Sequence, residues 1–297
     1  MSMTDHTNAT TPPDCPGPAA NPRGPSTFKV PKGAVDTHAH VIGVPPDYPL
    51  VPNRSYTAPA ASAENYLAML DGTGMTYGVL IQVSVHGTDN RLMLETLRAH
   101  PKRLRGVAVV DLGKSDGYYT ELEEAGVTGL RINVLYGGGV SIDLLEKYGD
   151  LCAEMGWHLQ FLLDARHLPD LAPRIRKLRV PVVVDHMGHF PAAEGVASPG
   201  FQELLRLVSE GAWVKLSGAY RLSAPPYGDT TALAQALAAA APDRCLWGSD
   251  WPHVANWDHM PNAGELLDLF GEWITDEVLR NRILADNAQR LYGFPQA

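Results

Sequence analysis

Cysteine is scarce in this chain. Three in 297 residues, Cys15, Cys152 and Cys245, are too few and too scattered for a disulfide framework or a structural zinc site, and fit a reducing cytoplasm. Positive charge is also short. The 24 basic and 33 acidic residues leave a net charge of −9, which argues against nonspecific nucleic-acid binding and against an anionic membrane surface. No apolar run is long enough to span a bilayer. The first residues lack the charged start and apolar core of a secretory signal, so a cytoplasmic protein is expected. The first strand-like run is followed by His-Ala-His-Val and not by a glycine-rich phosphate loop, which removes the usual mark of a doubly wound nucleotide-binding sheet.

Residues 1–31, rich in Pro, Ala, Thr, Asn and Gly, read as a disordered or draped N-terminal arm. From 32 to 297 short runs of Val, Ile and Leu alternate with segments of helical periodicity. Strands are expected at Ala34–Val41, Tyr77–Val83, Leu104–Asp111, Thr128–Val134, His158–Leu163, Val180–Asp185, Ala212–Ser217 and Arg244–Ser249. Helices are expected at Ala63–Thr73, Asn90–His100, Asp116–Glu124, Ser141–Met155, Leu168–Leu178, Gly200–Glu210, Thr230–Ala240 and Gly264–Phe270, with Asp276–Tyr292 closing the chain. Continuous apolar strands between helices imply parallel strands buried on both faces. Eight such units predict an α/β fold, a single-domain (β/α)8 TIM barrel. The one long loop, Val41–Ser62, carries five prolines beside the end of the first strand and is expected to cover an active site.

Active sites of such barrels lie at the C-terminal ends of the strands. Polar residues recur there in this sequence. His38 and His40 on strand 1 are two apart and so share a face. Ser84 and His86 follow strand 2, and Arg131 and Asn133 share a face of strand 4. His158 and Gln160 do so on strand 5. His186 ends strand 6, Arg221 follows strand 7 and Asp250 ends strand 8. A buried polar group is costly unless paired, so this many at one end of the barrel read as functional. Asp36 is expected to orient a neighbouring strand, and Asp89 and Asn90 to cap the following helix.

Val35-Asp36-Thr37-His38-Ala39-His40, Ile81–Asn90 with its His-Gly-Thr-Asp-Asn, Asp185-His186-Met187-Gly188 and Trp247-Gly248-Ser249-Asp250-Trp251-Pro252-His253 resemble the lactonase branch of the amidohydrolase superfamily, of the 2-pyrone-4,6-dicarboxylate lactonase type. The resemblance runs from about Gly33 to Tyr292. It implies hydrolysis of a carboxylated lactone, with Asp250 as general base toward water. His38, His40 and His186 would polarise the carbonyl. It further implies substrate contacts from Arg131, Arg221, Tyr56 and Ser84; Gln160, Asn133 and His86 are expected beside them from their places on and after the strands.

A second arginine expected a few residues after Arg131 is replaced by Leu135-Tyr136-Gly137-Gly138-Gly139, and a strand-5 tyrosine by Leu162. A muconolactone, a sulfonated muconolactone or a sugar-acid lactone therefore stands beside the pyrone dicarboxylate as substrate. Those glycines either offer backbone N–H groups to an anion or form a flexible turn. Two rival readings from the same superfamily are a lactone isomerase and a metal-dependent decarboxylase. No metal is expected. The alternative is one zinc or other divalent ion on His38, His40 and Asp250. Homo-oligomerisation is left open.

Overall fold

A computed structural model describes residues 11–296. Eight parallel strands pair in chain order, each with the next, and form a nearly closed (β/α)8 TIM barrel. They are β1 (Val35–Ala39), β2 (Tyr77–Ile81), β3 (Leu104–Ala108), β4 (Val127–Asn133), β5 (His158–Leu162), β6 (Val182–Val184), β7 (Trp213–Leu216) and β8 (Cys245–Trp247). The seam between β1 and β8 is closed just past the strand ends. Asp250 N donates to His38 O at 2.8 Å and His40 N to Trp251 O at 2.8 Å. Asp36 welds the same seam. Its carboxylate accepts from the Ser249 backbone N–H and hydroxyl, both at 2.7 Å, and from the Tyr66 hydroxyl at 3.1 Å.

Each strand stops earlier at its C-terminal end than the apolar pattern predicts. The reason is that residues there leave the ladder to build the loops over the barrel mouth. Helices α1 (Ala63–Thr73), α2 (Arg91–Ala99), α3 (Asp116–Glu124), α4 (Leu145–Met155), α5 (Leu168–Ile175) and α6 (Pro199–Ser209) follow the expected segments closely. A short helix not foreseen, α7 (Ala219–Leu222), comes next and carries Tyr220 and Arg221. Then come α8 (Thr230–Ala240) and α9 (Ala263–Trp273). The last segment is not one helix but α10 (Glu277–Asn281), a π turn and α11 (Asn287–Tyr292). Asn90 holds the N-cap position of α2 and Asp89 Oδ1 accepts from Arg91 N at 3.2 Å, but the Asn90 side chain does not cap the helix. Its amide donates to Val109 O at 2.8 Å and accepts from Val109 N at 3.3 Å, tying the β2 loop to the end of β3.

The main core lies between strands and helices. A separate apolar cluster, including Val79, Val107, Val183, Trp213 and Leu246, fills the lower barrel and is closed by Tyr292 and Phe294. Above it the inward positions become charged. Arg131, Gln160, Asp185 and Lys215 are all buried at this level.

The described part of the arm is draped. Cys15 N bonds Thr57 O and Thr57 N bonds Pro13 O, both at 2.8 Å, while Ser26 and Thr27 hold Asp268. Residues 1–10 of the expected arm lie outside the described residues. Among the described residues no helix is long and apolar enough to cross a membrane.

Candidate active site

Three imidazoles and one carboxylate meet at the mouth of the barrel. His38 and His40 come from β1, His186 follows β6 and Asp250 follows β8. The Nε2 atoms of His38, His40 and His186 lie 3.7, 3.6 and 3.7 Å from the same oxygen, Asp250 Oδ1. That oxygen is buried and has no hydrogen-bond partner among the described residues. The other oxygen, Oδ2, accepts from the Tyr220 hydroxyl and from Arg221 Nε, each at 2.6 Å. His186 and Asp250 both take left-handed backbone angles, with φ of 49° and 61°. Such angles cost a non-glycine residue about 1–3 kcal/mol and persist only where the surroundings hold them. The seam bonds supply that hold for Asp250.

Electrostatics sets the protonation of the cluster. Burial pushes the Asp250 carboxyl up, but Arg221, then His186 and His40, outweigh it and hold it well below the usual carboxylate range. Burial drives His186 down to about 3. Burial and then the Lys215 charge hold His38 well below its ordinary value. The site is therefore an ionised carboxylate facing the neutral rings of His38 and His186 at pH 7.

A second layer lies underneath. Asp185 accepts from Arg131 Nε at 3.0 Å and Gln160 Nε2 at 3.1 Å, and Lys215 Nζ lies 3.2 Å away. Lys215 also donates to Thr37 O at 2.9 Å and Gln160 Oε1 at 3.0 Å, and reaches His38 Nδ1 at 3.2 Å. Burial opposes ionisation of Asp185, yet Lys215, His38 and Arg131 pull it well below the carboxylate range. Burial brings Lys215 down to about 8. Asp185 belongs to a motif noted in the sequence but was given no role of its own, and Lys215 and Tyr220 were not singled out. A lone lysine in the apolar run Trp213-Val214-Lys215-Leu216 was the signal available for one of them.

Above the cluster is a narrow, nearly filled pocket lined by His40, Tyr56, Ser84, Arg131, Asn133, Tyr136, Leu162, His186, Arg221, Asp250 and Val254. Tyr56 and Ser84 are hydrogen-bonded to each other at 2.9 Å. Among the described residues, the one hydrogen bond of Arg131 runs from Nε to Asp185, which leaves its terminal nitrogens for the pocket. Arg221 is engaged throughout: Nε on Asp250, Nη1 on the Tyr136 hydroxyl at 3.3 Å, Nη2 on Val254 O at 3.0 Å.

Two expected contacts lie elsewhere. Gln160 sits below the pocket, both ends of its amide bonded to Asp185 and Lys215. His86 holds the long loop in place, accepting from Gly43 N at 3.1 Å, with Nδ1 3.3 Å from Pro49 O. The glycine run is neither an open anion cradle nor a loose turn. A Cβ at Gly137, Gly138 or Gly139 would lie 1.9 to 2.1 Å from the backbone oxygen of Asn53, Ser84 or Asn133, so the run packs backbone on backbone against these segments. His253 lies edge-on to Tyr220 at 5.5 Å and serves packing.

Two trios could hold a divalent ion. The ligand atoms of His38, Asp185 and His186, and those of His38, His40 and Asp250, lie within 4.8 Å of one another.

Residues 35–294 match the family model described as amidohydrolase. The chain belongs to the amidohydrolase family. It is 37% identical to 4-sulfomuconolactone hydrolase of Rhizobium radiobacter, over 95% of this chain and 96% of that one. It is also 37% identical to 2-pyrone-4,6-dicarboxylate hydrolase of Comamonas testosteroni, over 92% and 94%. A crystal structure of a probable 2-pyrone-4,6-dicarboxylic acid hydrolase from Acinetobacter baumannii, with citric acid bound, superimposes with a TM-score of 0.79 at 28% identity, covering 88% of this chain and all of the other.

Proposed function

We propose that this amidohydrolase opens the ring of a small carboxylated lactone by adding water. The observation that carries the reading is the single unbonded oxygen of an ionised Asp250, with three imidazole Nε2 atoms 3.6 to 3.7 Å from it. Asp250 Oδ1 takes a proton from water as the water oxygen bonds to the lactone carbonyl carbon. The negative charge moves to the carbonyl oxygen, where imidazole N–H groups stabilise it. The tetrahedral centre then collapses. The ring C–O bond breaks, and the proton on Asp250 passes to the departing ring oxygen, giving an open hydroxy acid. The two relatives at 37% identity, both named as hydrolases of such anions, support the same class.

Arg131 is the substrate's carboxylate anchor, because its terminal nitrogens are free for a planar, two-point contact. Arg221 instead orients the base through Asp250 Oδ2. Tyr56, Ser84 and Asn133 shape the pocket wall. Gln160 and His86 act from behind it, one holding Asp185 and the other the long loop.

The reaction needs no metal in this reading. A zinc-bound histidine ordinarily donates its second N–H to a carbonyl or carboxylate. His40 does so, with Nδ1 2.7 Å from Ile81 O, while His38 Nδ1 is hydrogen-bonded to the Lys215 ammonium at 3.2 Å and lies 3.2 Å from Asp185 Oδ1. Three cationic side chains, Arg131, Lys215 and Arg221, also surround the cluster. These charges oppose a divalent ion, and the reaction is routed through the protein's own groups.

The test is a panel of pyrone-dicarboxylate, muconolactone, sulfomuconolactone and sugar-acid lactones, assayed for ring opening and for isomerisation with and without chelator. Ring opening that survives chelator is the expected result. No turnover of any lactone, or activity lost to chelator and restored by zinc, overturns the proposal.

A further inference from the structure

β1 brings two imidazoles to one point, but the groups behind them differ in kind. His40 Nδ1 lies 2.7 Å from Ile81 O, a carbonyl that only accepts. The carbonyl fixes the tautomer with its hydrogen on Nδ1, in which Nε2 presents a lone pair to the site. Behind His38 stands Lys215, whose ammonium only donates. Two of its three hydrogens go to Thr37 O and Gln160 Oε1. The third meets His38 Nδ1 at 3.2 Å. Asp185 Oδ1 is equally close to that nitrogen, and 3.2 Å from Lys215 Nζ as well, but is hydrogen-bonded to neither. His38 Nδ1 is thus the acceptor, and the ring hydrogen sits on Nε2, facing the pocket.

We propose that Lys215 is a positioning residue that fixes His38 in the Nε2–H tautomer, so that His38 and His40 offer the reacting centre opposite polarity, one a donor and the other an acceptor. Two adjacent imidazoles with the same polarity would do one job twice. With opposite polarity they divide the reaction. The His38 N–H suits the carbonyl oxygen, where charge accumulates. The His40 lone pair and Asp250 Oδ1 suit the two hydrogens of one water. Their 3.6 Å separation leaves room for a water oxygen about 2.8 Å from each, an ordinary hydrogen-bond length. The water is then aimed by His40 and deprotonated by Asp250.

A buried lysine could serve only to neutralise Asp185. The two roles separate on substitution. In Lys215→Met, Asp185 keeps Arg131 at 3.0 Å and Gln160 at 3.1 Å. His38 Nδ1, however, loses its donor and is left beside a carboxylate oxygen, which draws the ring hydrogen to Nδ1 and turns Nε2 into an acceptor.

The catalytic consequence rests on the lactone-hydrolysis reading; the tautomer itself does not. The experiment is long-range 1H–15N NMR of the histidine rings in the full chain, with His38 and His40 assigned through His38→Gln and His40→Gln, run beside kinetics on the best lactone. In the wild type we expect His38 protonated on Nε2 and His40 on Nδ1. In Lys215→Met we expect the His38 hydrogen on Nδ1, kcat down about 100-fold or more, as for loss of one oxyanion donor, and KM nearly unchanged. A wild-type His38 protonated on Nδ1, or a His40 protonated on both nitrogens, overturns the proposal. So does a Lys215→Met spectrum with His38 unmoved. If Lys215→Met does not fold, the wild-type spectrum decides alone. If no lactone is turned over, the hydrolytic reading fails and the spectra still decide the tautomers.

Discussion

Replacing Asp250 by Asn tests the base with little change of shape. Oδ2 receives two hydrogen bonds, from Tyr220 and Arg221 at 2.6 Å, and only an oxygen can take both. The amide introduced by Asp250→Asn is therefore forced into one orientation. Its oxygen replaces Oδ2 and its NH2 takes the place of Oδ1, among the three imidazoles at 3.6 to 3.7 Å. The geometry stays and the base is gone, since an amide nitrogen cannot take a proton from water. Loss of a general base costs about 10²–10⁴ in rate, or roughly 3–5 kcal/mol of barrier. Folding suffers less. Arg221 keeps a neutral acceptor there and Val254 O at 3.0 Å, so the loss falls short of the roughly 3–5 kcal/mol for a buried charge left alone. The assay is kcat for ring opening, with circular dichroism as the check on folding. In the wild type the carboxyl is held well below its ordinary range, so it stays ionised from pH 5 to 8 and adds no acidic limb there. A folded Asp250→Asn enzyme with kcat within tenfold of wild type would remove Asp250 as the base.

Three further outcomes follow from the same geometry. Arg131→Met should raise KM about tenfold or more with kcat little changed, because a carboxylate is held alike in ground and transition states; an unchanged KM takes Arg131 out of the substrate site. Removal of residues 1–24 should raise KM severalfold, because Pro13 and Cys15 bracket Thr57 beside Tyr56 and Asp14 O accepts from Trp257 Nε1 at 2.8 Å. Unaltered kinetics would confine the described arm to a covering role. Acid should destabilise the fold: burial holds His158 and His186 at about 3 and His253 at about 4, while the unfolded chain protonates them near 6.5. The unfolded state then binds more protons as pH falls from 6.5, and stability drops through that window. Burial raises Asp36 to about 6, so its folded form takes a proton first and offsets part of the loss between 6 and 3.8. The net at pH 5 is a loss on the order of several kcal/mol, read as a falling Tm between pH 7 and 5; a Tm that rises over that range refutes the sign.

What the sequence made legible and what it hid have one physical cause. Strand ends were readable because apolar runs stop where the chain must turn polar. That places His38, His40, Arg131, Asn133, His186 and Asp250 toward one rim. Convergence on a single oxygen was not readable, because it depends on the left-handed turns at His186 and Asp250, which no periodicity encodes. Gln160 and His86 were assigned to the substrate because parity places a residue on a face but does not show what its side chain binds. Gln160 is level with Arg131, but its amide is spent on Asp185 and Lys215, and His86 faces the loop. Lys215 shows the converse. Its run reads as apolar core, and the barrel interior is where a lysine is least expected. A fully buried ammonium persists only if its partners hold it. Those partners, Thr37, Gln160, His38 and Asp185, come from three other strands or strand ends. A buried charge whose partners are this far apart in sequence becomes visible only when the barrel closes, and that is why the residue that sets His38 was the one the sequence concealed.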